Sequence, residues 1–207
     1  DLGVQGIPEL MSFIPGFTYT DTYWQKGLIT SRGVQQSLYN DKTLMLIDGV
    51  PAYGSVSLEH FLDIIPIPAI KQIEIIRGPG STLYGTNAFS AVINIITKDK
   101  KDHRDCLYGK IGSYQTKELG LYTSSNIKDL HFSFSGQFTD NDGYNKTAID
   151  ERGLKGKINY EKDFENLYAK IQFKNLNLSA GYSHEEFGRF GPVPLFTFGN
   201  QFHKDQG

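Results

Sequence analysis

From Leu130 to Tyr182 apolar and polar residues alternate through long stretches, and this limits the second half of the chain to strands with two unlike faces. Leu130, Phe132, Phe134, Gly136 and Phe138 alternate with His131, Ser133, Ser135 and Gln137. The same pattern runs through Leu154–Tyr160, Leu167–Phe173 and Leu176–Tyr182. Residues 106–114 and 117–125 alternate less cleanly, so about six strands are predicted. Asn126–Asp129 and Lys174-Asn175 are short connections, whereas Asp140-Asn141-Asp142-Gly143 opens a longer loop reaching about Arg152. Short turns at one end, long loops at the other and strands near the roughly 9–11 residues of a tilted membrane strand describe an outer-membrane barrel. Alternation alone also fits a soluble β-sandwich. The sandwich puts its polar faces outside; the barrel turns them toward a wet interior. The longest apolar run, Ile64–Ile70, is short and holds Pro66 and Pro68, which excludes a membrane helix.

The first half is different. Ile7, Leu10, Met11 and Ile14 have helical spacing, with Pro8 acceptable in a first turn and Pro15-Gly16 as a stop. Thr43–Ile47, Ile73–Arg77 and Ala91–Thr97 are short apolar runs of the buried-strand kind, two of them ended by Asp48-Gly49 and Gly78-Pro79-Gly80. This predicts a small α+β domain over residues 1–98. A solvated linker follows at 99–105, within a stretch, Lys98–Asp105, of seven charges and one His. Residues 106–207 would be barrel strands. Six strands cannot enclose a domain of 98 residues: about eight enclose only side chains or one small ligand, while barrels of about 22 hold a plug. The chain starts at Asp1 without Met or signal peptide, so it reads as a piece of something longer.

The net charge of −2 argues against nucleic-acid binding, and the one Cys, Cys106, excludes a disulfide framework or a multi-Cys metal site. His184-Glu185-Glu186 is not H-E-x-x-H, no G-x-S-x-G is present, and Asp48, Asp63 and Glu74 have no evident catalytic partner, so neither a catalytic nor a metal site is expected. The Gly-rich stretch after Arg77 lacks the lysine of a phosphate-binding loop.

The densest motif is Ile73-Glu74-Ile75-Ile76-Arg77-Gly78-Pro79-Gly80-Ser81, then Tyr84-Gly85, Ala88 and Ala91-Val92-Ile93-Asn94-Ile95-Ile96-Thr97. It resembles the plug signature of TonB-dependent outer-membrane receptors, with Ala91 where the family often has Gly. Ile14-Pro15-Gly16, Ser31-Arg32-Gly33-Val34 and Leu46-Ile47-Asp48-Gly49-Val50-Pro51 follow the family in order. The resemblance implies an α+β plug followed by the first antiparallel transmembrane strands of an incomplete 22-stranded-type barrel. Gly78, Pro79, Ser81, Tyr84, Gly85 and Asn94 carry the signature. Arg32 and Arg77 would pair with glutamates on barrel strands that lie outside this chain. Ligand would meet the plug apices, at Tyr23, Trp24 and Gln25 and at Tyr53 and Ser55. His60 could contact a haem or metal centre, although a lone His is more often structural.

The resemblance further implies a transporter in the outer membrane of a Gram-negative bacterium, in contact with its lipid. Its cargo would be a scarce bulky ligand: most often a ferric siderophore, otherwise cobalamin or haem. No resident cofactor is expected. TonB would supply the pull through an N-terminal box, which this chain does not contain. An outer-membrane binding or adhesion receptor with a static plug is the alternative, and a soluble β-rich domain is the third reading.

Overall fold

Helix α1 (Ile7–Ser12) takes Pro8 in its first turn, where a missing N–H costs nothing, and ends ahead of Pro15-Gly16. These are coordinates of a computed structural model, which describes residues 6–21, 27–34, 42–52, 64–102, 104–149 and 155–188. A hairpin of β1 (Phe17–Asp21) and β2 (Gly27–Ser31) packs against α1. The alternation of the sequence gave no sign of it.

The plug is organised around a four-stranded sheet in the order β4-β3-β6-β5, built from β3 (Thr43–Ile47), β4 (Val50–Pro51), β5 (Ile70–Arg77) and β6 (Ala91–Thr97). Its central pair β3 and β6 is parallel, and both read as continuous apolar runs because both of their faces are covered. Met45, Ile93 and Ile95 join α1 and the β1–β2 hairpin in one core, while Leu44, Leu46, Val92 and Ala88 pack on the other face. A short helix α2 (Ser81–Tyr84) follows the Gly78-Pro79-Gly80 turn.

Among the described residues of the second half, five strands form one antiparallel wall: β7 (Cys106–Ile111), β8 (Lys117–Ile127), β9 (Leu130–Asp140), β12 (Lys162–Phe173) and β13 (Leu176–Phe187). The expectation of six wall strands needs correcting. Residues 155–159 form β11 (Lys155–Asn159), which pairs with β10 (Asn145–Ile149) in a separate hairpin rather than with the wall. Their register, Asn145↔Asn159, uses the segment read from sequence as loop, and β9 pairs directly with β12. Two-residue turns at Lys128-Asp129 and Lys174-Asn175 close the opposite end, with Lys128 and Lys174 at positive φ.

The wall is inverted relative to a soluble sheet. On β9 the buried positions are His131, Ser133, Ser135, Gln137 and Thr139, while Phe132 is 41% and Phe138 36% exposed. On β12 Asn166, Tyr168 and Lys170 are buried, and Ile171 and Phe173 face out. Strands β8 and β9 have 11 residues and β12 and β13 have 12, enough for a tilted crossing of a bilayer core. The outward apolar belt ends at the loop side in a charged row, Lys117, Asp140, Asp163 and Glu186, where Lys117 Nζ lies 3.3 Å from Asp140 Oδ2. Polar inside and apolar outside separates a barrel wall from a sandwich.

Candidate functional site

The plug meets the wall at a turn that the sequence specifies closely. Asp48 and Gly49 have φ of 49° and 81°, the pair of left-handed residues that a type I′ hairpin between β3 and β4 requires. Asn94 Oδ1 accepts the Gly49 N–H at 3.0 Å, so the signature asparagine on β6 pins this turn. Its Nδ2 donates to Glu74 Oε2 on β5 at 3.3 Å. Thr97, three residues on, donates its N–H to Asp48 Oδ1 at 2.8 Å and its hydroxyl to Oδ2 at 2.6 Å. The Asp48 carboxylate is thereby aimed at the wall.

Lys170 on β12 completes the junction. Its Nζ lies 2.7 Å from Asp48 Oδ2 and 2.7 Å from Thr97 Oγ1, and the residue is 6% exposed. Other contacts support it. Gln137 Oε1 on β9 accepts the Ile67 N–H at 3.0 Å. Tyr122 and Tyr168 of the wall are part of the plug's apolar core. Lys98 Nζ stands 4.2 Å above the Tyr122 ring, and burial pulls its pKa below the ordinary lysine value. Beside the junction a cleft of about 680 Å³ runs between the β3–β4 hairpin and strands β12 and β13, with Asp48, Asn94, Thr97, Tyr168 and Lys170 among its walls.

Where the plug continues into the wall, Lys71 Nζ sits 3.2 Å from Asp99 Oδ2 and 3.0 Å from Asp102 Oδ2. The Asp99 carboxylate also caps a tight turn by accepting the Lys101 N–H at 2.7 Å. Residues 99–102 of the charged linker therefore form an ordered turn, tied to the start of β5.

The expected plug–wall arginines are found on neighbouring turns. Arg32 has φ of 54° and donates its N–H to Gly16 O at 2.7 Å. Its Nη1 lies 3.7 Å from where a Cβ on Gly78 would stand, next to Arg77 at the end of β5. Among the described residues neither arginine makes an ion pair with a carboxylate. Gly78, at φ 119°, donates its N–H to Ser90 O at 3.0 Å, Pro79 follows it in the turn, and Ser81 Oγ donates to Ala88 O at 3.1 Å. Tyr84 ends α2 half-exposed, and Gly85 caps it at φ 78° and ψ −144°. Tyr23, Trp24, Gln25, Tyr53, Ser55 and His60 lie outside the described residues.

Sequence reasoning missed Lys170 and Gln137 as wall partners of the plug, and Thr97 as the plug residue that orients Asp48 toward them. The available signal was position: Lys170 stands on the polar side of an alternating strand, where a soluble sheet would offer it water and a wall offers it the plug.

A family model described as TonB-dependent Receptor Plug Domain matches residues 1–92. The vitamin B12 transporter BtuB of Vibrio vulnificus is 31% identical over 135 residues, covering 63% of this chain and 21% of that protein. The pesticin receptor of Yersinia enterocolitica is 31% identical over 133 residues, covering 62% and 19%. The chain thus spans about a fifth of the length of such relatives. In solved structures, the ferric yersiniabactin uptake receptor FyuA from Yersinia pestis superposes with a TM-score of 0.64 at 22% identity, over 89% of this chain and 29% of that one. The copper transporter OprC superposes with a TM-score of 0.66 at 17% identity, over 90% and 29%. At these identities the two superpositions speak for the fold.

Proposed function

The chain carries the plug domain of the TonB-dependent receptors over residues 1–92, followed by strands of an incomplete barrel, and from that premise we propose that the whole protein imports a scarce bulky ligand across the outer membrane of a Gram-negative bacterium. The observation that carries this reading is the inverted wall. Its inner face holds Gln137, Tyr168 and Lys170 against the plug, and its outer face offers Phe132, Ile171 and Phe173 to lipid.

The cargo in this reading is a ferric siderophore, with cobalamin and haem as alternatives. The relatives named for vitamin B12 and for yersiniabactin uptake support that range without choosing within it. Cargo would touch the plug apices at Tyr23, Trp24 and Gln25 and at Tyr53 and Ser55. Arg32 and Arg77, side by side at the plug surface, would pair with wall carboxylates on strands beyond this chain. TonB would pull on a segment ahead of residue 1, and the plug–wall contacts at Asp48 and Gln137 would resist or yield to that pull.

The test is uptake by the full-length receptor in cells lacking their own high-affinity receptors. Labelled cobalamin, haem and the iron complexes of enterobactin and yersiniabactin would be supplied in turn. Accumulation of one of them, abolished by loss of TonB or by an uncoupler, is the expected result. Tight binding without energy-dependent accumulation would replace the importer with a static receptor. Quenching of Trp24 fluorescence by the cargo, absent in Trp24→Phe, checks the apex contacts separately.

A further inference from the structure

The outward face of the wall is not apolar up to its charged row. Two residues in from Lys117, Asp140, Asp163 and Glu186 lies a second outward row, Leu119, Phe138, Glu165 and His184, in which each residue pairs with the next across β8, β9, β12 and β13. An open groove of about 540 Å³ runs along these two rows. Below them Leu121, Leu167 and Tyr182 continue the apolar belt.

Packing keeps the groove open. Gly136 stands next below Phe138 on β9, and a Cβ there would lie 3.3 Å from the Phe138 ring and 3.3 Å from Leu167 Cδ2. The ring therefore leans over the glycine and lies along the wall as a floor, instead of standing up into the groove. Leu119 beside it is 47% exposed.

Glu165 is the anomaly in this face. It sits roughly 7 Å along β12 from the rim position Asp163, toward the bilayer. It is exposed, and among the described residues it has no hydrogen-bond or ion-pair partner. The charges around it have other ties. Lys117 Nζ lies 3.3 Å from Asp140 Oδ2, Asp163 Oδ1 accepts the Asn141 N–H at 3.1 Å, and His184 Nε2 lies 3.5 Å from Glu186 Oε1. The groove thus sets four carboxylates, Asp140, Asp163, Glu165 and Glu186, against one lysine.

A carboxylate facing lipid is costly unless the lipid brings its partner. A lipid phosphate on its own is repelled by this excess of negative charge. A quaternary ammonium has the right sign but no N–H to give. A primary ammonium has three donors, which the carboxylates of Glu165 and Glu186 can accept. Lys117, at the β8 end of the groove with its side chain 67% exposed, is open to the phosphate of the same head group.

We propose that this groove seats a membrane phospholipid with a phosphoethanolamine head group. Its ammonium lies between Glu165 and Glu186, its phosphate turns toward Lys117, and its acyl chains run over Leu119, Phe138 and the belt below. The proposal rests on the wall facing lipid and not on the importer reading, so its test needs no uptake.

The experiment is native mass spectrometry of the purified full-length receptor in non-ionic detergent, offered equal amounts of dioleoyl phosphatidylethanolamine, phosphatidylcholine and phosphatidylglycerol. Retention of the ethanolamine lipid about tenfold above the other two, falling to the level of the choline lipid in Glu165→Gln, is the expected outcome. Equal retention of the ethanolamine and choline lipids, or an unchanged preference in Glu165→Gln, overturns the site. Retention of the glycerol lipid that appears only with added Mg²⁺ overturns it too, because the carboxylates would then be bridging to phosphate through a metal ion. Heat-modifiable gel mobility verifies that each barrel is folded, and Glu186→Gln, at the exposed rim, is the second variant that should weaken the preference if Glu165→Gln does not fold.

Discussion

Lys170 and Asp48 are 122 positions apart in sequence, yet Nζ and Oδ2 are 2.7 Å apart, with the Thr97 hydroxyl bonded to both. The two ends of this contact are not equivalent. Asp48 keeps two bonds from Thr97 when the lysine is removed, whereas Lys170, buried on the wall, keeps only a neutral hydroxyl when the aspartate is removed.

Asp48→Ala should therefore destabilise the docked plug more than Lys170→Met does, by up to about 3 kcal/mol, because a buried charge left unpaired is the costlier defect. Denaturant unfolding of the detergent-solubilised full-length receptor, run as a double-mutant cycle, measures both terms. Equal stability of both single variants and wild type would remove the ion pair from any account of docking.

The linker turn should respond to acid and to strong base but not between. Partial burial opposes ionisation of Asp99 and Asp102, yet the backbone N–H groups of Lys101 and Asp99 respectively, together with the Lys71 ammonium, outweigh it and hold both carboxyls below 3.8. Their contribution is complete above 3.8 and is lost as pH falls through the lowered values. Hydrogen bonds to Asp102 and then Asp99 raise Lys71 above 10.5, so its contribution is complete below 10.5 and disappears only as pH rises through the raised value. Hydrogen exchange of residues 98–102, corrected for intrinsic rates, should show constant protection across this window. Lys71→Met should move the acid limb upward; an unchanged limb would count against the ion pairs.

Gly181 on β13 gives the plug room. A Cβ there would lie 2.9 Å from Ile64 Cγ1. Gly181→Val should cost about 1–3 kcal/mol of docking stability, and Ile64→Ala in the same chain should recover part of it. Thermal unfolding of the single and double variants decides this, and a lack of rescue would mean that the valine acts through the strand alone.

The outward belt carries its own test. Leu167→Arg near mid-wall should destabilise insertion by about 2–4 kcal/mol, a cost that appears only when the residue faces lipid. Urea titration of folding into phosphatidylcholine vesicles reads it. A cost near zero would return the wall to the class of soluble sheets.

Local signals made much of this fold legible. Pro8 and Pro15-Gly16 bracketed α1, Asp48-Gly49 marked the end of β3, and strict alternation located β9, β12 and β13. Lys155–Asn159 misled because its pattern is the same in a free hairpin as in a wall, and only the register with Asn145–Ile149 tells them apart. The β1–β2 hairpin carries no clean alternation and was silent. At the junction, the Asp48-Gly49 turn and Asn94 were readable, but Lys170 was not, since nothing local links a lysine in a wall strand to an aspartate in another domain.

The inward side chains of the wall form a surface that water can wet as well as the plug can. Ser133, Ser135, Gln137, Asn166 and Lys170 hold hydrogen-bonding groups that solvent can take over one at a time. A plug seated on such a surface can slide or lift with each broken contact replaced as it is lost, while the lipid-facing belt outside feels nothing. Such a wall would serve as a bearing rather than a glue.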